Sequence, residues 1–203
     1  MLYSLSNFGK ICSKNITKYQ LPANFSIISD DCWGGQIYIH LVMPYLTPTV
    51  GLWIEGDDYF NFLTNLTASD ATEFYSYKSE ESYPVGQTPY AKLNFLHYEG
   101  LDEAIETFRR RYQRINWNNL FYKIDLEKPC YSKEHVSRWN DLGLPNSIAF
   151  YSDKVVENWG HNIHNGIYIK NWVIDGAKMF EISRIHLNIY GWIIKGIVNS
   201  TVY

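Results

Sequence analysis

Short apolar runs of strand length alternate along this chain with longer segments of helical period, and that alternation decides the fold class. Residues 25–29 form a short, partly β-branched run closed by Asp30 and Asp31. Residues 50–55 read as a second strand. Gly56, Asp57 and Asp58 then open a helix with Tyr59, Phe62, Leu63 and Leu66 at helical spacing. Residues 93–98 alternate like a strand and lead into the clearest helix, where Leu101, Ala104, Ile105, Phe108, Tyr112 and Ile115 share one apolar stripe.

Residues 120–125, 147–151 and 166–173 are further expected strands. A helix over 132–142 has Ser132 at its N-cap and Gly143 past its end, and residues 180–194 close the chain as a helix. Residues 75–90 hold Pro84, Gly86 and Pro89 and read as a loop or a small irregular excursion. Strands separated by helices require crossover connections. The expectation is an α/β fold, Rossmann-like, with a largely parallel or mixed sheet and helices on both faces in three layers, α/β/α. No repeat, low-complexity tract or linker divides the 203 residues, so one α/β domain is expected over 1–203. Periodicity leaves residues 36–43 open between the second arm of a hairpin through Gly34 and Gly35 and a buried helix that ends at Pro44.

Composition narrows the function classes. A net charge of −3 supplies no global field for nucleic acid, so no nucleic-acid partner is expected. Cys12, Cys32 and Cys130 are too few and too scattered for a disulfide framework or a zinc site, which fits reduced thiols in the cytoplasm. Residues 1–15 carry no apolar leader pattern, so the matches to glycosylation sequons at Asn15, Asn24, Asn65 and Asn199 are read as chance. The apolar stretch over 189–198 falls short of the roughly 20 residues that a spanning helix needs. The abundant Tyr (17) and Trp (7) serve either sugar stacking or an ordinary core.

Three constellations can carry chemistry. In the first, Ser29, Asp30, Asp31, Cys32, Trp33, Gly34 and Gly35 form a glycine-bearing loop after a strand. There the backbone can approach a ligand closely and Cys32 can act as a nucleophile. The second is Arg109, Arg110, Arg111 and Arg114, either an oxyanion clamp or the basic end of a helix whose front carries Asp102, Glu103 and Glu106. The third is His97 with Tyr98 at the end of an expected strand, where acid–base residues gather in open α/β sheets. His161 and His164 stand three apart between glycines with no third ligand, so no metal site is expected. Dinucleotide, phosphate-loop, serine-elbow and zinc-protease motifs are absent, and no cofactor is expected.

Taken in order, Phe25-Ser-Ile-Ile-Ser-Asp-Asp-Cys-Trp-Gly-Gly35, Tyr45-x-Thr-Pro-x-Val-Gly-Leu52, Tyr83-Pro-Val-Gly86, Phe95-Leu-His-Tyr98, Glu103-Ala104 and Arg110-Arg111-x-x-Arg114-Ile-Asn-Trp-x-Asn-Leu-Phe121 resemble successive blocks of one bacterial family. It is domain of unknown function nineteen-nineteen, whose members are commonly labelled exopolysaccharide or capsule biosynthesis proteins. The likeness spans about residues 25–152. It implies an α/β fold and resolves residues 36–43 as a helix that follows a strand and a Cys-Trp-Gly-Gly loop over 32–35. Cys32, Trp33, Gly34, Gly35, His97, Tyr98, Arg111, Arg114, Asn116 and Asn119 fall on its blocks, but the resemblance carries no catalytic assignment.

The resulting expectation is a cytoplasmic, transferase-type enzyme of capsule or exopolysaccharide assembly that acts on an activated sugar or a glycan intermediate. His97, Cys32 and Asp31 would be catalytic. Trp33, Gly34, Gly35, Tyr98, Arg111, Arg114, Asn116 and Asn119 would contact ligand. The alternative is a glycan-binding or assembly-partner protein without catalysis. The C-terminal aromatic helix either docks internally or makes a peripheral contact with membrane-bound polysaccharide machinery.

Overall fold

Strands buried on both faces read as continuous apolar runs, and those of the main sheet do so. The computed structural model describes residues 24–195. Strands β1 (Ser26–Ser29), β4 (Leu120–Asp125), β5 (Ser147–Tyr151) and β6 (Gly166–Tyr168) form a four-stranded sheet in the order β1-β4-β5-β6. Every pairing in it is parallel, with Ile28 opposite Tyr122, Lys123 opposite Ile148 and Phe150 opposite Ile167. Strands β2 (Val85–Gln87) and β3 (Lys92–Asn94) make a separate antiparallel pair.

Successive strand residues point to opposite faces, and two apolar cores result. Ile28, Ile124 and Ala149 pack against α2 (Gly56–Thr64), α3 (Leu101–Tyr112), α4 (Lys133–Leu142) and α5 (Asp153–Trp159). On the other face Ile27, Phe121, Ile148 and Phe150 pack against α1 (Trp33–His40), α6 (Gly176–Ser183) and α7 (Ile189–Lys195). The architecture is α/β with three layers, α/β/α, and seven helices among the described residues. The helix after β1 lies on one face and the helix after β4 on the other.

Strand β1 is an edge of the main sheet, and residues 46–49 run along it with side chains in place of a ladder. The Ser29 amide donates to Thr49 Oγ1 (3.2 Å), Thr49 Oγ1 donates to the Ile27 carbonyl (3.5 Å), and Ser26 Oγ donates to the Leu46 carbonyl (2.5 Å).

Several expected elements differ. Residues 50–55 are not a strand: Gly51 is left-handed (φ 78), and only Trp53 bridges Asn94. Residues 93–98 contribute only the end of β3, in the small sheet, so His97 follows a hairpin rather than a main-sheet strand. The strand expected over 166–173 ends at Tyr168. The closing helix over 180–194 is two helices. Asn188 Oδ1 accepts from the Gly191 amide (2.9 Å), starting α7 anew. Residues 36–40 are helical, within α1. No helix among the described residues is long and apolar enough to cross a membrane. Cys12, the leader reading over 1–15 and the sequons at Asn15 and Asn199 lie outside the described residues.

Candidate functional site

A lysine inside an apolar strand must find a partner, because an isolated buried ammonium is prohibitively costly. Lys123 of β4 is such a lysine, fully buried, and its partners lie at the carboxyl end of β1. Its Nζ donates to Asp30 Oδ1 (3.0 Å) and Asp31 Oδ2 (2.7 Å). Lys128 closes the square, 2.7 Å from Asp30 Oδ2 and 2.8 Å from Asp31 Oδ2. Tyr131 and the Asp125 amide also donate to Asp30 Oδ2, at 3.1 and 3.2 Å. Two carboxylates and two ammoniums therefore balance inside the protein.

Burial opposes ionisation of Asp31, yet Lys123 and Lys128 hold its carboxyl well below the ordinary range. The same pairing raises Lys128 against the effect of burial. A third carboxyl has no cation left to itself. Burial, with Asp30 and Asp31 adding to it, pushes Asp125 up to about 7 despite the two lysines, while Trp172 Nε1 donates to both its oxygens at 2.7 Å.

This cluster fixes the start of α1. Asp31 Oδ1 accepts from the Trp33 amide (2.9 Å), and Cys32 becomes the residue that precedes the helix. The glycines that follow allow α1 to lie close. A methyl group on Gly34 would stand 2.9 Å from Ser29 Cβ, and one on Gly35 would stand 3.3 Å from Val50 Cγ1. Gly51 works from the opposite side. Besides its left-handed backbone, a methyl group there would lie 3.2 Å from the Tyr98 ring and 3.6 Å from His97 Cβ. Small residues thus bring α1, the 45–51 segment and the turn after β3 together.

A groove of about 300 Å³ opens between them. Cys32 lines it together with Gly35, Gln36 and Ile39 of helix α1, and the 45–51 segment contributes Tyr45, Val50 and Gly51. His97 and Tyr98 follow from the turn, and Glu103 and Arg111 from α3. Across it Cys32 Sγ approaches His97 Nε2 to 3.3 Å, within reach of direct proton transfer. Burial, and then the Asp31 charge, push the Cys32 thiol up to about 11, against a smaller opposing pull from Lys128 and Lys123. The thiol is therefore protonated near neutrality and needs a base to become a nucleophile. Arg111 Nη1 donates to Tyr98 Oη (2.7 Å) and the Val50 carbonyl (3.1 Å), and its guanidinium stacks over Tyr45 at 4.8 Å.

The structure thus gathers Cys32, Gly35, His97, Tyr98 and Arg111, which are distant in sequence, into one groove. Other residues expected at the site stand elsewhere. Trp33 is fully buried among Phe150, Phe180 and Trp192, and its Nε1 donates to Ser183 Oγ. Gly34 faces β1 rather than the groove. Asp31 turns its carboxylate inward and reaches Cys32 only through its charge. Asn116 and Asn119 both donate from Nδ2 to the Asn24 carbonyl, pinning the entry to β4 at the amino end of β1. Arg114 is exposed in the same turn and does not line the groove.

Lys123, Lys128 and Tyr131 carry no signal of a site in the sequence, and Asp30 stands out there only beside Asp31 at the end of the first apolar run. The pattern that could find the cluster is a lysine at an inward position of an apolar strand. Gly51, Tyr45 and Glu103 carried no chemical pattern of their own. Among the described residues no group of three or more His, Cys, Asp or Glu side chains could hold a metal ion.

A protein of Haemophilus influenzae, described as an uncharacterized protein, is 26% identical over 125 residues. That alignment covers 62% of this chain and 60% of the relative, less than two thirds of its length. Residues 6–185 match a family described as Domain of unknown function (DUF1919), and over that span the chain belongs to this family.

Proposed function

We propose that the protein is a group-transfer enzyme of surface-polysaccharide assembly in which Cys32 is the nucleophile and His97 its general base. The observation that carries this reading is the 3.3 Å approach of Cys32 Sγ to His97 Nε2 in an open groove. The polysaccharide setting rests on the family resemblance noted in the sequence, and the substrate is an activated sugar or a glycan intermediate. Acyl transfer suits a thiol best, with an activated ester or thioester as the acyl donor and a hydroxyl of the sugar or glycan as the acceptor. His97 takes the thiol proton as sulfur bonds to the acyl carbon. The bond to the donor's leaving group then breaks, and that group leaves with the proton from His97. An acceptor hydroxyl next attacks the thioester and gives its proton to His97. The Cys32 sulfur leaves and recovers a proton from the imidazole, so the enzyme returns unchanged.

Glycan binding without catalysis draws less support, because much of the aromatic content is in the cores. Trp33, Trp139, Trp192, Tyr38 and Tyr59 are fully buried.

The test is a pre-steady-state burst with 4-nitrophenyl acetate, read with intact-protein mass. One acetyl group should appear on the parent protein and none on Cys32→Ser. His97→Ala should slow the burst by about 10²–10⁴-fold. Equal acetylation of Cys32→Ser, or an unchanged burst in His97→Ala, would sink the reading.

A further inference from the structure

We infer that the groove takes a substrate bearing a phosphate or carboxylate group, and that Arg111 is the residue that holds it. This rests on the reading that the groove is the substrate site. A guanidinium presents five N–H donors in a rigid fork. Both protein hydrogen bonds of Arg111 leave from Nη1, to Tyr98 Oη and the Val50 carbonyl. No described residue accepts from Nε or Nη2, the edge that grips an oxyanion with two parallel bonds.

Charge points the same way. Arg111 is half-buried, its protein partners are neutral, and no carboxylate among the described residues pairs with it. The fully buried cations differ, since Lys123 and Lys128 are matched by Asp30 and Asp31. Arg138 and Arg184 have carboxylate partners in Asp57 and Glu181. A partly desolvated cation without a counter-ion favours an incoming anion, and its contacts with Tyr45, Tyr98 and Val50 fix its position beforehand.

The groove also sets which way the anion lies. Glu103, its one carboxylate among the described residues, is rooted eight residues earlier on α3, about 12 Å of helix rise from Arg111 at the backbone, and forms no ion pair with it. An acidic group is repelled from that end and drawn to Arg111. Glu103 is left to accept hydroxyl groups from the remainder of a sugar.

The experiment uses thermal shift on Cys32→Ser, which cannot turn over, with pyrophosphate, glucuronate and neutral glucose at matched ionic strength. One or both anions should raise the melting temperature and glucose should not. A shift with pyrophosphate alone identifies a phosphate, and one with glucuronate alone a carboxylate. Adding Arg111→Met should abolish the shift, while adding Arg114→Met should leave it intact. If Arg111→Met does not fold, Arg111→Lys takes its place. It keeps the charge but loses the fork, and should weaken binding about tenfold. Absence of any anion shift, or an equal shift with Arg111 replaced, would overturn the inference. A failed acetylation burst with a surviving Arg111-dependent shift would remove the catalytic reading and leave the anion site standing. The reverse pattern would do the opposite.

Discussion

At the residue scale, Asp31 sets two quantities that pull against each other. Its charge helps to push the Cys32 thiol up to about 11, so it makes the nucleophile harder to ionise. The same carboxylate neutralises the buried ammoniums of Lys123 and Lys128 and holds the first amide of α1. Asp31→Asn should therefore lower the pH midpoint for alkylation of Cys32 by iodoacetamide. It should also cost about 3 kcal/mol in urea unfolding, because it leaves a buried positive charge unmatched. A variant with a lower midpoint and unchanged stability would contradict the charge balance described for the cluster.

At the element scale, the contact between α1 and β1 depends on Gly34. A methyl group there would sit 2.9 Å from Ser29 Cβ and 3.3 Å from Ile27 Cγ2, both within the sheet. Gly34→Ala should cost about 1–3 kcal/mol in urea unfolding and should slow the Cys32 burst as α1 shifts outward. Elements with strong internal signals were legible in the sequence. The stripe of α3, the start and stop of α4, and the apolar runs of β1, β4 and β5 lie where pattern places them. Elements decided by distant residues were not legible. Helix α5 begins where the Glu127 carboxylate accepts from the Ser152, Lys154 and Val155 amides, at 2.8, 3.2 and 3.3 Å, a cap supplied from β4's far end. Residues 50–55 have the composition of a strand, but the edge of β1 is occupied by threonine side chains, so no ladder forms there. Likewise Cys32 and His97 were each visible as reactive types. Their meeting was not, because it depends on the close approach at Gly35 and Gly51.

At the scale of the whole molecule, two buried carboxyls bound the pH range of stability from opposite sides. Asp31 is depressed in the fold, so its contribution is present above its ordinary value and is lost as pH falls below it. Asp125 is raised to about 7 from an ordinary value of 3.8, so its contribution is full below 3.8 and is lost as pH rises through about 7. Stability should be greatest in mildly acid solution. Asp125→Asn cannot ionise, so its melting temperature should fall less than the parent's between about pH 5 and 8. Identical slopes would show that Asp125 does not bind its extra proton in the fold.

The threonines along β1 also govern how molecules of this protein behave towards one another. An open strand edge is a template on which another chain can register, and it is a common origin of aggregation. Here Thr49 Oγ1 occupies both the Ser29 amide and the Ile27 carbonyl, and the opposite edge, β6, is three residues long. Thr49→Val keeps the shape but strips the hydroxyl, which leaves that buried amide and carbonyl unpaired and loosens the 46–49 segment that covers the edge. Light scattering should then show growth of large particles at concentrations where the parent stays monodisperse, making one hydroxyl group the guard on the molecule's colloidal stability.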